Sequence, residues 1–391
     1  MEKKITIISS TFYPDIGPGA IRTTLMLEEL IKFQNISITI HTQEPNRYND
    51  YLVDDYLKKN FKNKNLKIIR YRNRKLLGLF KIKIYSYILF FFSVLFSSQG
   101  KKPDILWATS SRFFTLLLAC LISKNKKTKL YLDIRDLFIH NAREIYKNKF
   151  YKIALFLLKI YEKKIISRAQ INIISPGFKF YFDKYKISYT SYYHGIPEIF
   201  YHYHNQNLKN KKLWENKTNK ILYVGNIGEG QGMHILIPDL AKINPKLNIT
   251  IIGAGKFKKI IKQKMIEENL INIKLINPIR QIDLINHYQE TDFLLLNLNS
   301  YKAFKYVMPS KIFEYSIFKK PILCGTEGIS KDFISQNIDK SFFFKPNDAK
   351  GLNKILLTLF NKKLNIERDE FINNSRYRNI IANYAKFIMK N

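Results

Sequence analysis

The chain has 391 residues, 46% of them apolar, and carries 66 Lys and Arg against 31 Asp and Glu, a formal net charge of +35. That length holds two domains with full cores, and the apolar share is ordinary for a globular protein. Two cysteines, Cys120 and Cys324, each set in a separate apolar run, read as buried free thiols of a reducing compartment, with a structural disulfide the less favoured reading.

Short strand-like runs alternate with helical patterns from end to end, the mark of an α/β protein with parallel sheets. In the first half the strands are read at Ile5–Ser9, Ser37–Thr42, Leu66–Arg70, Asp104–Ala108, Lys129–Asp133 and Ile171–Ser175. Ile5–Ile8 is too short for the apolar core of a signal peptide and is read as the first strand. The loop Asp15-Ile16-Gly17-Pro18-Gly19-Ala20-Ile21-Arg22 follows it, before a helix over Ala20–Lys32. Ligands bind at this carboxyl edge in such folds, so Gly17, Gly19 and Arg22 are candidate acceptor or cleft residues. Asp133-Ile134-Arg135-Asp136 ends another strand at the same edge. Charges at the tip of a buried strand need pairing or use, which makes Asp133, Arg135 and Asp136 candidates for the reaction or for a local pair. Further on, His194 reads as a solvated interdomain histidine.

Leu76–Ser98 poses a membrane question. Lys81 and Lys83 interrupt it, and its uncharged part, Ile84–Ser98, is shorter than the roughly 20 residues that a span requires. It reads as a buried helix or as a surface dipping into a membrane interface beside the basic cluster Arg70–Lys75.

Residues Tyr201–Asn219, rich in Asn, Lys and His, read as a linker. The second half then repeats the pattern, with strands at Ile221–Gly225, Asn248–Gly253, Asn272–Ile276, Asp292–Leu296, Ile322–Gly325 and Phe342–Phe344. A glycine-rich turn, Gly225–Gly232, lies between the first of these and a helix over Met233–Ile243, so backbone N–H groups can approach a phosphate there. Gly253-Ala254-Gly255 sits on the same edge. Pro309-Ser310-Lys311-Ile312-Phe313-Glu314-Tyr315 reads as a helix start, with Lys311 and Glu314 on one face and Ile312 and Phe313 opposite. A lysine and a carboxylate there suit a diphosphate and sugar hydroxyls. The domains are therefore placed at 1–200 and 220–372, with a C-terminal helix over 373–391 crossing back to the first.

Taken in order, Phe12-Tyr13-Pro14-Asp15 through Gly19 and Arg22, Asp133–Leu137, Ser175-Pro176-Gly177, Gly195, Gly225–Gly228, Gly253–Gly255 and Pro309–Tyr315 resemble bacterial glycosyltransferases of family 4. The branch they resemble builds O-antigen, capsule and lipopolysaccharide sugars. The resemblance implies the GT-B architecture, two Rossmann-like domains with parallel sheets facing across a cleft. It implies a nucleotide-sugar donor, UDP-linked by preference, on the C-terminal domain, and a lipid-linked or saccharide acceptor on the N-terminal one. Transfer of a hexosyl or N-acetylhexosaminyl group would proceed with retention, without cofactor or obligatory metal. Donor contacts fall on Gly225, Asn226, Gly228, Gly253, Gly255, Pro309, Ser310, Lys311 and Glu314, the last at the nucleotide ribose. The chain departs from the family at Tyr306, where many members carry a first glutamate. It departs again at Asn226–Ile227 and Gln231, where many carry an arginine and a lysine. A degenerate non-catalytic partner subunit and a nucleotide-sugar 2-epimerase are the alternatives. Partners are expected to include an anionic membrane, met through Arg70–Lys75 and Leu76–Ser98 at the inner face of the cytoplasmic membrane. Nucleic acid is not expected, because charge alone supports it.

Overall fold

The computed structural model describes residues 2–15, 17–45, 65–72, 83–100, 102–110, 113–124, 127–145, 148–207 and 213–390. It divides into two units, Met1–Tyr193 with Asn379–Asn391, and His194–Arg378.

The first unit is built on seven strands: β1 Lys3–Ser9, β2 Ile36–Gln43, β3 Leu66–Tyr71, β4 Ile105–Ser110, β5 Lys129–Ile134, β6 Gln170–Ile173 and β7 Tyr189–Thr190. They pair in parallel in the order β3-β2-β1-β4-β5-β6-β7. Helices α1 Pro18–Leu30, α2 Lys83–Ser97, α3 Phe113–Ile122, α4 Phe138–Ile145, α5 Lys149–Ile166 and α6 Lys179–Lys184 accompany them. Strands covered on both faces become nearly continuous apolar runs, as in β4, where Ile105, Leu106, Trp107 and Ala108 are all buried.

The second unit repeats the plan. Strands β9 Lys220–Val224, β10 Asn248–Ile252, β11 Ile273–Ile276, β12 Phe293–Asn297, β13 Ile322–Gly325 and β14 Ser341–Phe344 form a parallel sheet in the order β11-β10-β9-β12-β13-β14. A small antiparallel pair joins β8 Trp214–Glu215 to β15 Lys363–Leu364. The helices are α7 Glu198–Gln206, α8 Met233–Ile243, α9 Lys258–Glu267, α10 Gln281–Glu290, α11 Lys311–Tyr315, α12 Ile329–Asn337, α13 Ala349–Leu359 and α14 Asp369–Asn374. Helix α15, Tyr377–Lys390, closes the chain, and its residues from Asn379 onward belong with the first unit. The second sheet thus has strands in the order 3-2-1-4-5-6 and the first has the same order with a seventh strand added, the reversal falling between β1 and β4 in one and between β9 and β12 in the other. Ligands bind outside the carboxyl ends of such strands, where the order reverses.

Three expectations are revised. Much of the expected linker is ordered: α7 covers 201–206, burying Phe200 and His204, while Arg376 holds Glu198 through bonds of 3.1 and 2.7 Å. Across the other end, Trp214 is buried and donates its indole N–H to the Asp292 carbonyl at 3.0 Å. His194 is buried and bonds the Tyr377 hydroxyl at 3.0 Å, so it is a core group of the second unit rather than a solvated one. The basic cluster is also not a uniform patch. Arg70 donates to the Tyr13 carbonyl at 2.6 Å and lies over the Phe12 ring, and burial lowers its pKa. Arg72 points outward. Residues 73–82, which complete the cluster and begin the apolar stretch, lie outside the described residues. The remainder of that stretch is α2, which buries Phe90 and Val94 on one side.

Candidate functional site

The site candidates of the second unit converge on the reversal point of its sheet. Strand β9 ends at Val224 and runs straight into the glycine-rich turn. Gly225 and Ile227 donate their N–H groups to the carbonyls of Ile252 and Ala254, at 3.0 and 2.9 Å, which binds the turn to the end of β10. A side chain at Gly253 would place its Cβ 1.8 Å from the Gly225 carbonyl oxygen. Glycine is therefore required there so that two backbones can approach. The N–H groups of Gly225 and Ile227 are spent inside the fold, whereas those of Asn226 and Gly228 take no part in these bonds. The turn closes at Gly232 with a φ of 60°, left-handed backbone that suits glycine.

Three asparagines that sequence reading passed over hold this turn from the far side. Asn297, the last residue of β12, donates to the Gln231 carbonyl at 2.8 Å and to Asn347 at 2.9 Å. Asn299 donates its backbone N–H to Gly230 at 2.8 Å and its amide to the Glu229 carbonyl at 3.0 Å. Asn347 returns a bond to Asn299 at 3.0 Å. A signal was present: polar residues at the carboxyl end of a continuous apolar strand, Leu294-Leu295-Leu296-Asn297, mark a position that must be bonded or used.

Helix α11 reaches the same place. Its Tyr315 is fully buried, and its hydroxyl accepts the backbone N–H of Val224 at 3.1 Å, pinning the helix to the end of β9. Ile312 and Phe313 enter the core with it. The opposite face carries Lys311 and Glu314, joined Nζ to Oε2 at 2.6 Å. Glu314 is only 7% exposed and also accepts from the buried Tyr288 hydroxyl of α10 at 3.0 Å. Burial, then the neighbouring carboxylate, raises the pKa of Tyr288 well above the usual phenol value, so it stays a donor. The Lys311 side chain keeps 23% exposure and is the accessible member of the trio. Pro309 and Ser310 lead into the helix, and Ser310 makes no side-chain cap. Tyr306, at the departure from the family pattern, lies at the end of a 3-10 turn over Lys302–Tyr306.

In the first unit, Arg22 and Asp133 are both fully buried. The guanidinium grips the carboxylate through two bonds of 2.7 Å and also donates to the carbonyls of Tyr192 and Tyr193 at 2.8 and 3.1 Å. Thr109 and Asn172 donate to the same carboxylate at 2.7 and 2.8 Å. The expected cleft role of Arg22 and reactive role of Asp133 give way to a buried pair that ties α1 to β4, β5, β6 and the segment after β7. Arg135 and Asp136 are half-buried just beyond β5. The Arg135 guanidinium lies over Gly19, where an added Cβ would stand 2.0 Å from its Nη1. Gly17 precedes α1 as its N-cap in extended backbone. Among the described residues, no three His, Cys, Asp or Glu side chains gather as a metal site would require.

Residues 204–378, nearly all of the second unit, match the model of the family described as "Glycosyl transferases group 1". That match lies wholly within the second unit and spans less than half of the chain. No curated protein matches the sequence. Among solved structures, the sucrose-phosphate synthase of Thermosynechococcus elongatus superposes with a TM-score of 0.69 at 13% identity, covering 99% of this chain and 98% of its own. HepE of Anabaena, in complex with UDP and glucose, gives 0.60 at 14% identity over 98% and 95%. WaaG, a glycosyltransferase involved in lipopolysaccharide biosynthesis, gives 0.60 at 12% identity over 98% and 95%. The fold is that of the GT-B glycosyltransferases: two Rossmann-like halves with parallel sheets.

Proposed function

We propose that the protein transfers a hexosyl or N-acetylhexosaminyl group from a nucleotide-sugar donor to a saccharide or lipid-linked acceptor, with retention and without a metal, in bacterial surface-polysaccharide synthesis. One observation carries the donor half of this reading. The glycine-rich turn continues from the end of β9, and Tyr315 bonds α11, which carries Lys311 and Glu314, to that same strand end, at the point where the strand order reverses. HepE, which binds UDP and UDP-glucose, has the same fold and supports the choice of UDP. WaaG supports the polysaccharide setting in the same way.

The chemistry follows from charge. As the sugar–phosphate bond breaks, negative charge grows on the diphosphate and positive charge on the ring. Lys311 and the N–H groups of Asn226 and Gly228 would stabilise the leaving group where it forms. Glu314, fixed by Tyr288, would accept from the ribose hydroxyls. Lys311 has to share its charge between Glu314 and the diphosphate, so the trio sets the donor's position as well as its affinity.

Calorimetry of UDP and GDP with the full chain tests the assignment. Lys311→Ala removes a charge-assisted contact of about 1.5–3 kcal/mol, so it should weaken binding by about tenfold or more. Glu314→Ala should weaken it as well. Unchanged affinity in both variants removes the donor site from this face. Chelation with EDTA should leave the transfer rate unaltered, and a rate that collapses and returns with added divalent metal would overturn the metal-free reading.

A further inference from the structure

Helix α5 turns two apolar faces in opposite directions. Leu155, Ile165 and Ile166 are buried against the unit. Ile153, Phe156, Leu157 and Ile160, at the i, i+3, i+4, i+7 spacing of a single helix face, are 53 to 58% exposed. An ordinary surface helix places charged residues there. Helix α3 lies between α5 and α2 in contact with both, and each adds to the exposed apolar surface: Phe114 from α3, with Phe92 and Phe96 from α2. Exposed large apolar side chains on three successive neighbouring helices are the mark of an interaction site.

The charges beside it identify the partner. Lys152, Lys163 and Lys164 on α5 are all exposed, at the border of the apolar face. Glu162 is the one acidic residue in the three helices, and it is buried, accepting from the Tyr181 hydroxyl. Two copies meeting through this face would bring like charges together. We propose instead that α5, with α2 and α3, is the surface by which the chain lies on an anionic phospholipid membrane. Apolar side chains enter the acyl boundary, and lysines reach back to the headgroups. The sequence pointed to Arg70–Lys75 and Leu76–Ser98 for such contact; the proposed surface keeps α2 from that stretch and adds α3 and α5. No described helix is long and apolar enough to cross a membrane, so the association is peripheral. It does not rest on the donor or acceptor proposed above.

The test is flotation of the full chain with vesicles of phosphatidylcholine and phosphatidylglycerol, and with phosphatidylcholine alone. The vesicles carry no sugar donor or acceptor. The parent should float with the acidic vesicles. The triple variant Phe156→Ser, Leu157→Ser, Ile160→Ser changes exposed positions only, and should lower the partition at least about tenfold. Lys152→Gln with Lys164→Gln leaves the apolar face intact and should lower it about tenfold on acidic vesicles only. Thermal unfolding confirms that each variant is folded. A parent that does not float, or a folded triple variant that floats as the parent does, overturns the proposal. So does a lipid-free dimer that the triple substitution dissolves, because the face then belongs to a second copy.

Discussion

Arg22 and Asp133 stand 111 residues apart, and their pairing decides what each is for. The carboxylate accepts from Arg22, Thr109 and Asn172, and the guanidinium also donates to the carbonyls of Tyr192 and Tyr193. Removing one member of such a buried pair strands the other and costs about 3–5 kcal/mol. Arg22→Ala and Asp133→Ala should therefore each lower the stability of the first unit by that amount, read by denaturant unfolding. Nucleotide affinity at the second unit should stay as in the parent. A stable Arg22→Ala protein with lost transfer would return this arginine to the substrate. The sequence showed that charges at the end of β5 needed a partner, but it offered only near neighbours as candidates. The actual partner sits on α1, and no local spacing reports a contact made by folding. The asparagines 297, 299 and 347 were missed for a related reason. An amide has no charge to balance, so its role shows only once its neighbours are in place.

At the scale of elements, the parallel strands were legible because each is a run of apolar residues with polar punctuation. All six strands expected in each half occur, with ends shifted by a residue or two. The additional strands β7, β8 and β15 have two residues each, too few for any periodicity to appear. Residues 201–206 of α7 were read as linker because their one buried position, His204, is diluted by tyrosine, histidine and asparagine. On its inward side, α5 buries Glu162. Burial raises the pKa of Glu162 above the ordinary carboxylate value, against the opposing pull of Tyr181 and Lys159. The native chain then holds this proton more tightly than the unfolded chain does. The stability contribution is present at low pH and is lost as pH rises through the raised folded-state value. Glu162→Gln keeps an acceptor for Tyr181 and removes the titration. Its thermal midpoint should match the parent's below the carboxylate range and exceed it increasingly toward neutral pH. Parallel curves for the two proteins would show that Glu162 carries no such penalty.

For the whole molecule, the two units are tied by the path of the chain, since the first is completed by its last residues. In α15, Tyr384, Ala385 and Ile388 are buried. Trp107 donates to the Tyr384 hydroxyl at 3.3 Å, Tyr131 to the Ile388 carbonyl at 3.3 Å, and Lys3 to the Met389 carbonyl at 3.2 Å. Tyr384 also stacks on Tyr192, with ring centroids 4.8 Å apart. Burial of a large apolar side chain contributes about 1.5–3 kcal/mol, and a domain has only about 5–15 kcal/mol in all. The segment therefore supplies a large share of the first unit's stability and little of the second's, whose sheet and α11 lie wholly within 194–378. Ending the chain at Arg378 should leave the first unit open to protease while the second survives as a resistant fragment that still binds the donor nucleotide. Limited proteolysis with mass spectrometry reads both parts at once. Equal resistance of the two units after truncation would mean that α15 is an appendage. Loss of both would mean that the second unit depends on the first for its own stability, and that the nucleotide site is a property of the intact chain.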